Sequence, residues 1–284
     1  VAGEWIGLEE ARSYLHRTSL KFDMIVLSLV DTYQPVTSGA YSLSESYAYT
    51  VEAISAYLSH LREGGILVIT RWVKDGAAAP QPGPAKKILA VNSSMRKGGN
   101  TELLLRAVLS ELKSAGWETE LVTVGGTAIR GCIACEKCFE SKDHQCAVKK
   151  DVFNAVFSKM LKAHAMILGS PTYFAAVSAD LKALIERAGY VAYANNHAFA
   201  GKIGAAVVAV RRGGATHAYD TINHMFQMSR MIIPGSTYWN MGFGLGRGEV
   251  SADQEALANM RHLGRCIDWL GRAILPDSHN YPKE

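Results

Sequence analysis

From Lys87 onward the chain alternates strand-sized apolar runs with helix-period apolar stripes, and no other feature restricts its fold as tightly. The runs Lys87–Val91, Glu118–Val124, Ala165–Gly169, Ile203–Val210 and Met231–Tyr238 predict strands. Between and after them, Leu104, Leu105, Val108, Leu109 and Leu112 recur on one helical face, as do Leu181, Leu184, Ile185 and Ala188, and then Leu257, Met260, Leu263, Ile267 and Leu270. Repeated strand-helix units of this length predict an α/β fold, a doubly wound five-stranded parallel sheet with helices on both faces. In such a sheet ligands bind at the carboxyl ends of the strands, where the strand order reverses.

Upstream the pattern is shorter. Met24–Val30 reads as a buried strand. Tyr47, Val51, Ile54, Leu58 and Leu61 fall at helical spacing up to a stop at Gly64-Gly65, and Ile66–Arg71 reads as a second strand. One βαβ unit has too few strands to cover both faces of an independent sheet. The composition then breaks at Asp75–Ala85, where three prolines and two glycines follow one another without apolar periodicity. The expected organisation is an incomplete Rossmann-like segment at 1–75, a linker at 76–85 and a doubly wound domain at 86–284.

Chemistry concentrates at Cys132, Cys135, Cys138 and Cys146, a C-x2-C-x2-C-x7-C run. Three thiolates from one tight loop and a fourth closing the set match the needs of a cubane [4Fe-4S] cluster. Structural zinc is the alternative, although zinc sites more often pair two C-x2-C knuckles across a long loop. A metal-free remnant is a third reading. His144 reads as a surface polar residue and Cys266 as a small buried hydrophobe on its helical stripe. With five cysteines in 284 residues and no amino-terminal secretory pattern, a reducing, cytoplasmic setting is expected. No apolar run approaches the roughly 18–20 residues needed to cross a bilayer. A net charge of +4 carried by scattered Lys and Arg gives no stripe for nucleic acid.

Three loops at strand ends are the candidate ligand site. Asn92–Thr101 is rich in small residues and leads into the Leu104 helix, so backbone N–H groups and a helix amino terminus can cradle an anion. Its plainer reading is a helix cap made by Asn100 or Thr101. Neither a Walker lysine motif nor G-x-G-x-x-G is present. Ser170–Phe174 and Arg211–Gly214 end the strands at Ala165–Gly169 and Ile203–Val210. Together the three suggest a flat ring lying on backbone, with Tyr173 and Phe174 as ring contacts or as a cap over the sheet edge.

On these residues, Ser94–Thr101, the Cys132–Cys146 run followed by Asp151, and Gly169–Phe174 with the Ser178–Arg187 helix, the region 86–275 resembles the NADPH-dependent FMN reductase and iron-sulfur flavoprotein family. The resemblance implies a flavodoxin-like fold. It assigns Ser94, Arg96, Gly99, Asn100 and Thr101 to the FMN phosphate, and Pro171, Thr172, Tyr173, Phe174, Gly213 and Gly214 to the isoalloxazine ring. It also assigns the four cysteines to a [4Fe-4S] cluster. The family's usual Gly-Ser-Pro is replaced here by Ser93-Ser94-Met95. Residues 1–75 resemble the later half of a spermidine-synthase-like methyltransferase-fold domain, with Asp31 near the position of an active-site acid and without that fold's S-adenosyl-binding glycine loop.

The implied activity is an oxidoreductase that accepts hydride from NADH or NADPH and passes electrons between FMN and the cluster to an unknown acceptor, in a homo-oligomer, dimer or tetramer. An FMN reductase without a cluster and a non-enzymatic electron carrier are the alternative readings.

Overall fold

A computed structural model describes residues 15, 17–28, 51–70 and 86–282. Asp31, Gly39-Ala40-Tyr41, Tyr47, Arg71, Trp72 and the linker residues lie outside that set. The chain divides into two compact units, Val1–Gln81 and Pro82–Glu284.

In the first unit, β1 (Phe22–Ser28) pairs in parallel with β2 (Leu61–Thr70), and α1 (Val51–Ser59) precedes β2. Leu15 and Tyr57 form its buried core, with Phe22, Ile25, Ile54 and Leu67 packed around them. The helix ends before the expected Gly64-Gly65 stop. Ser59 Oγ donates to the Ala56 carbonyl at 2.8 Å, His60 Nδ1 lies 2.8 Å from the same oxygen, and the His60 N–H bonds to Tyr57 O. The two glycines lie inside β2 instead. There the register slips between Phe22 and Met24, and Gly64 sits at φ +78°, a backbone conformation that favours glycine.

The second unit contains β3 (Lys87–Asn92), α2 (Asn100–Ser114), β4 (Glu118–Thr123), α3 (Lys137–Ser141), α4 (Phe153–Lys162), β5 (Ala165–Pro171), α5 (Ala179–Ala194), β6 (Ile203–Val210), α6 (Ala215–Met228), β7 (Met241–Phe243) and α7 (Gln254–Ile274). The five strands are parallel in the order β4-β3-β5-β6-β7, the doubly wound arrangement read from the sequence. Alternate strand residues serve opposite faces. Ile88, Ala90, Ala165 and Ile167 pack under α2 and α7, whereas Leu89, Val91, Met166 and Leu168 pack under α4, α5 and α6. All eight residues of β6 are buried, as a central parallel strand requires. Each buried leucine of α2, such as Leu104, Leu105 and Leu112, contributes about 1.5–3 kcal/mol.

The fifth strand is displaced from its expected place at Met231–Tyr238. Ile232 makes one bridge, to Ile203, and then Pro234, which has no N–H to donate, and Gly235 turn the chain away. Residues 237–239 are held instead by Asn259, which accepts from Thr237 Oγ1 and donates to the carbonyls of Tyr238 and Trp239. Pairing with β6 resumes only at Met241. Cys266 is half-buried rather than core, with Sγ 3.4 Å from His262 Nδ1. Among the described residues no helix is long and apolar enough to cross a membrane.

Candidate functional site

The three loops meet where the topology predicts. Ser94, Arg96, Asn100, Thr101, Pro171, Thr172, Tyr173, Ala209, Val210, Arg211, Gly244 and Leu245 line one crevice of about 130 Å³ at the carboxyl edge of β3, β5 and β6. Its floor is built by backbone. The Ser93 N–H reaches Gly169 O at 3.0 Å, and Ser94 N–H donates to Asn92 Oδ1 at 3.0 Å. Gly125 backs the loop so closely that a Cβ there would lie 2.5 Å from Ser94 C and 2.6 Å from Ser93 O.

The amino terminus of α2 opens onto this crevice. Its N-cap is Gly99, with no side-chain cap, so neither Asn100 nor Thr101 plays the capping role of the plainer sequence reading. A helix leaves its first-turn N–H groups without partners of its own, and their positive end of the macrodipole suits an anion. Glu102 is the acid in that turn. The Gly98 N–H and then Arg106 hold its carboxyl below the usual range, and the Arg106 ion pair compensates its charge.

The Asn100 amide is used differently from the sequence expectation. Its Nδ2 donates to Gly244 O and Gly246 O, both at 3.0 Å, and its Oδ1 accepts from Val250 N–H, so the side chain fastens the 244–250 loop beside the crevice. Arg96 reaches the same loop, donating from Nη1 to Leu245 O at 3.0 Å. Thr172 presents the opposite situation. Its hydroxyl is buried without a hydrogen-bond partner among the described residues, while its N–H bonds to Ala209 O.

Four expected residues stand outside this lining. Phe174 is fully exposed at φ +47° and faces solvent. Gly99 and Gly213 carry no side chain toward the crevice. Gly214, at φ +88°, abuts the Ala175 backbone, where a Cβ would approach to 2.8 Å. Arg211 lines the crevice from the third expected loop, and the lining residues outside the three expected loops are Ala209, Val210, Gly244 and Leu245. The alternating glycines 242, 244, 246 and 248 were the available signal for a fourth loop.

The four cysteines line a second, smaller cavity of about 50 Å³, bounded also by Phe139, Arg187 and Tyr190. Ala134 and Glu136 both take left-handed backbone conformations, φ +51° and +57°, which turn the loop between successive cysteines. All four thiols are free. Burial, followed by its cysteine neighbours, pushes the Cys138 thiol above its ordinary value. Among the described residues no three His, Cys, Asp or Glu side chains converge on a point that would hold a single metal ion. His144 is exposed, and its N–H donates to Asn195 Oδ1.

Helix α5 ties both cavities together. Its N-cap, Ser178, accepts from Leu181 N–H and donates to Ser93 Oγ at 2.8 Å, next to the crevice. Nine residues on, roughly 13 Å along the axis, Arg187 is fully buried and reaches the cysteine loop. Its partners are Asp151, the carbonyls of Arg130 and Val148, and Cys146 Sγ, and its guanidinium lies 4.0 Å over the Phe153 ring. Burial raises the Asp151 carboxyl, but the Arg187 bond and the N–H groups of Arg130 and Phe153 outweigh it and hold it below its ordinary value. Arg187 carried no signal in the sequence beyond a helical position. Beside it lies an apolar groove of about 360 Å³ that shares Phe139 and Tyr190 with the cysteine cavity and is walled further by Tyr193, His197, Met225 and Met228.

The profile of the NADPH-dependent FMN reductase family matches residues 86–246. An iron-sulfur flavoprotein of Methanocaldococcus jannaschii is 33% identical over 188 residues, 64% of this chain and 95% of the relative. One of Methanosarcina thermophila is 32% identical over 160 residues, 56% of this chain and 80% of the relative. Among solved structures, RosB with bound 8-demethyl-8-formylriboflavin-5'-phosphate superposes with a TM-score of 0.54 at 15% identity, over 68% of this chain and 82% of its own. A likeness at that identity speaks for the fold alone, which is flavodoxin-like. The chain belongs to the NADPH-dependent FMN reductase family, with iron-sulfur flavoproteins among its relatives, and is an FMN-dependent oxidoreductase.

Proposed function

We propose that the protein is an oxidoreductase of the iron-sulfur flavoprotein type, which takes hydride from NADH or NADPH and exchanges electrons between FMN and a [4Fe-4S] cluster. The observation that carries this reading is one helix, α5, fastened at its amino end to the crevice and at Glu186 and Arg187 to the cysteine loop. When bound, FMN accepts hydride as a pair of electrons and can release them singly, and a cluster handles single electrons.

The chain's residues bind and orient. The amino terminus of α2, Ser94 and Thr101 suit the phosphate, because they offer N–H and hydroxyl donors at a positive helix end. Thr172 offers its unpaired hydroxyl to the ring's polar edge, and Tyr173 and Pro171 offer flat apolar surface. Asn100 and Arg96 hold the 244–246 loop against the site. No residue is needed to move a proton in hydride transfer, which depends on alignment. Free thiols at Cys132, Cys135, Cys138 and Cys146 around one cavity are the donor set a cluster takes. The homo-oligomer implied by the resemblance is part of the same proposal, and sedimentation velocity on the anaerobic protein reads it.

Anaerobic turnover tests the reading. FMN-loaded protein is expected to oxidise NADPH or NADH steadily in the presence of a one-electron artificial acceptor. Protein that holds FMN yet oxidises neither nucleotide overturns it in favour of an electron carrier.

A further inference from the structure

Cys146 is the most tightly held of the four cysteines. Asn154 grips its backbone from both sides, accepting from the Cys146 N–H at 2.8 Å and donating to its carbonyl at 3.0 Å. Its sulfur accepts from Arg187 Nε at 3.3 Å, and of the four thiols it is the one bonded to a charged side chain. At the other end of the loop, the Cys132 N–H reaches Glu186 Oε2 at 3.4 Å, and Cys132 Sγ accepts from the Ala134 backbone N–H at 3.4 Å. Adjacent residues of α5 thus hold the first and last cysteines, and among the described residues only Arg187 brings a full positive charge to sulfur.

That charge is costly where it sits. The Arg187 side chain is 0% exposed and its Asp151 partner 8%. A buried guanidinium persists only with its donors satisfied. The Nη groups are satisfied by Asp151 and two carbonyls, which would suffice for a structural clamp. Nε is aimed at sulfur instead. A charge-assisted donor in water-poor surroundings acts strongly on its acceptor, and hydrogen bonds to ligand sulfurs set the potentials of iron-sulfur centres.

We propose that Arg187 is a potential-setting residue, whose N–H to Cys146 Sγ favours the reduced, more negative form of the cluster. The inference rests on the cluster reading above. In a redox titration the cluster takes up one electron from dithionite through mediators, and no bond at Arg187 forms or breaks. Arg187→Lys keeps the charge facing Asp151 but loses the planar fork that reaches sulfur and carbonyls together.

The test is a mediated redox titration of anaerobically purified holoprotein, read by electron paramagnetic resonance, with iron content and thermal melting measured alongside. Arg187→Lys is expected to lower the reduced-to-oxidised ratio at fixed potential about tenfold, about 59 mV for a one-electron couple. An unchanged potential in a variant that retains its iron overturns the proposal and leaves Arg187 a structural clamp. Should Arg187→Lys fail to fold, Asp151→Asn decides, because it removes the ion pair while leaving the bond to sulfur. A lowered melting temperature with a raised potential supports the proposal, and an unchanged or lowered potential overturns it. Wild-type protein without iron and sulfide overturns the cluster reading and this inference with it, an outcome distinct from a cluster whose potential ignores Arg187.

Discussion

Ser178 Oγ donates to Ser93 Oγ across 2.8 Å, joining the N-cap of α5 to the loop that follows β3. The same hydroxyl accepts from Leu181 N–H, and the Ser178 N–H bonds to Ser170 Oγ at 2.9 Å. Two strand ends and the N-cap of α5 are therefore fixed to one another by three buried serines. Removing the hydroxyl in Ser178→Ala leaves Leu181 without its cap and Ser93 without its donor. Stability is expected to fall by about 1–2 kcal/mol in chemical denaturation. Fluorescence titration is expected to show FMN binding severalfold weaker. A variant with wild-type affinity would mean that the crevice does not depend on this link.

Thr172→Val makes an opposed pair of predictions. The hydroxyl is buried and unpartnered, so replacing it with a methyl group of similar size is expected to stabilise the flavin-free protein by about 1 kcal/mol. The FMN dissociation constant is expected to rise about tenfold, because the ligand loses a waiting donor. Differential scanning calorimetry of the flavin-free variant and a flavin titration check the two halves separately. A loss of stability in the flavin-free form would show that the hydroxyl already has a partner.

Gly125→Ala addresses the floor of the cradle. The added Cβ meets backbone atoms of Ser93 and Ser94, which cannot rotate away as a flexible side chain would. Relief requires movement of the loop, and overpacking of this kind costs about 1–3 kcal/mol. FMN affinity is expected to drop by at least tenfold, with the far-UV circular dichroism unchanged. Unchanged affinity would separate the loop's path from flavin binding.

The sheet was readable because β3, β5 and β6 are continuous apolar runs between helical stripes, the pattern of strands buried on both faces. β7 was not, because only three residues pair and the stronger apolar run at Met231–Tyr238 is diverted by Pro234-Gly235 and Asn259. The helix before Gly64 misled for a related reason: local bonds from Ser59 and His60 end it earlier, and the glycines serve a bulge. The first loop and the Pro171–Tyr173 turn could be placed on the crevice from strand ends alone. The roles of Asn100 and Arg187 could not, since each depends on partners some 40 to 150 residues away that only the folded chain supplies.

Lys202 supplies a pH prediction. Burial lowers its ammonium from 10.5 to about 8, while Nζ donates to Leu161 O and Ala163 O at the end of α4. Between pH 8 and 10.5 the unfolded chain binds more protons at this site than the folded one, so the contribution to stability rises with pH across that window. The difference in unfolding free energy between wild type and Lys202→Met is expected to shift in favour of wild type by up to about 3 kcal/mol over the window. A flat difference would show that the two carbonyls keep the ammonium charged.

The proposed function requires this unit to hold FMN and a sulfur-ligated iron centre at separate sites joined by α5. The most direct measurement is the content of FMN, iron and acid-labile sulfide in anaerobically reconstituted wild type and Cys138→Ser. Wild type is expected to carry about one FMN with about four iron and four sulfide per chain, and Cys138→Ser to lose most iron and sulfide while keeping its FMN. A single zinc in place of iron, or protein that takes up no FMN, would contradict it.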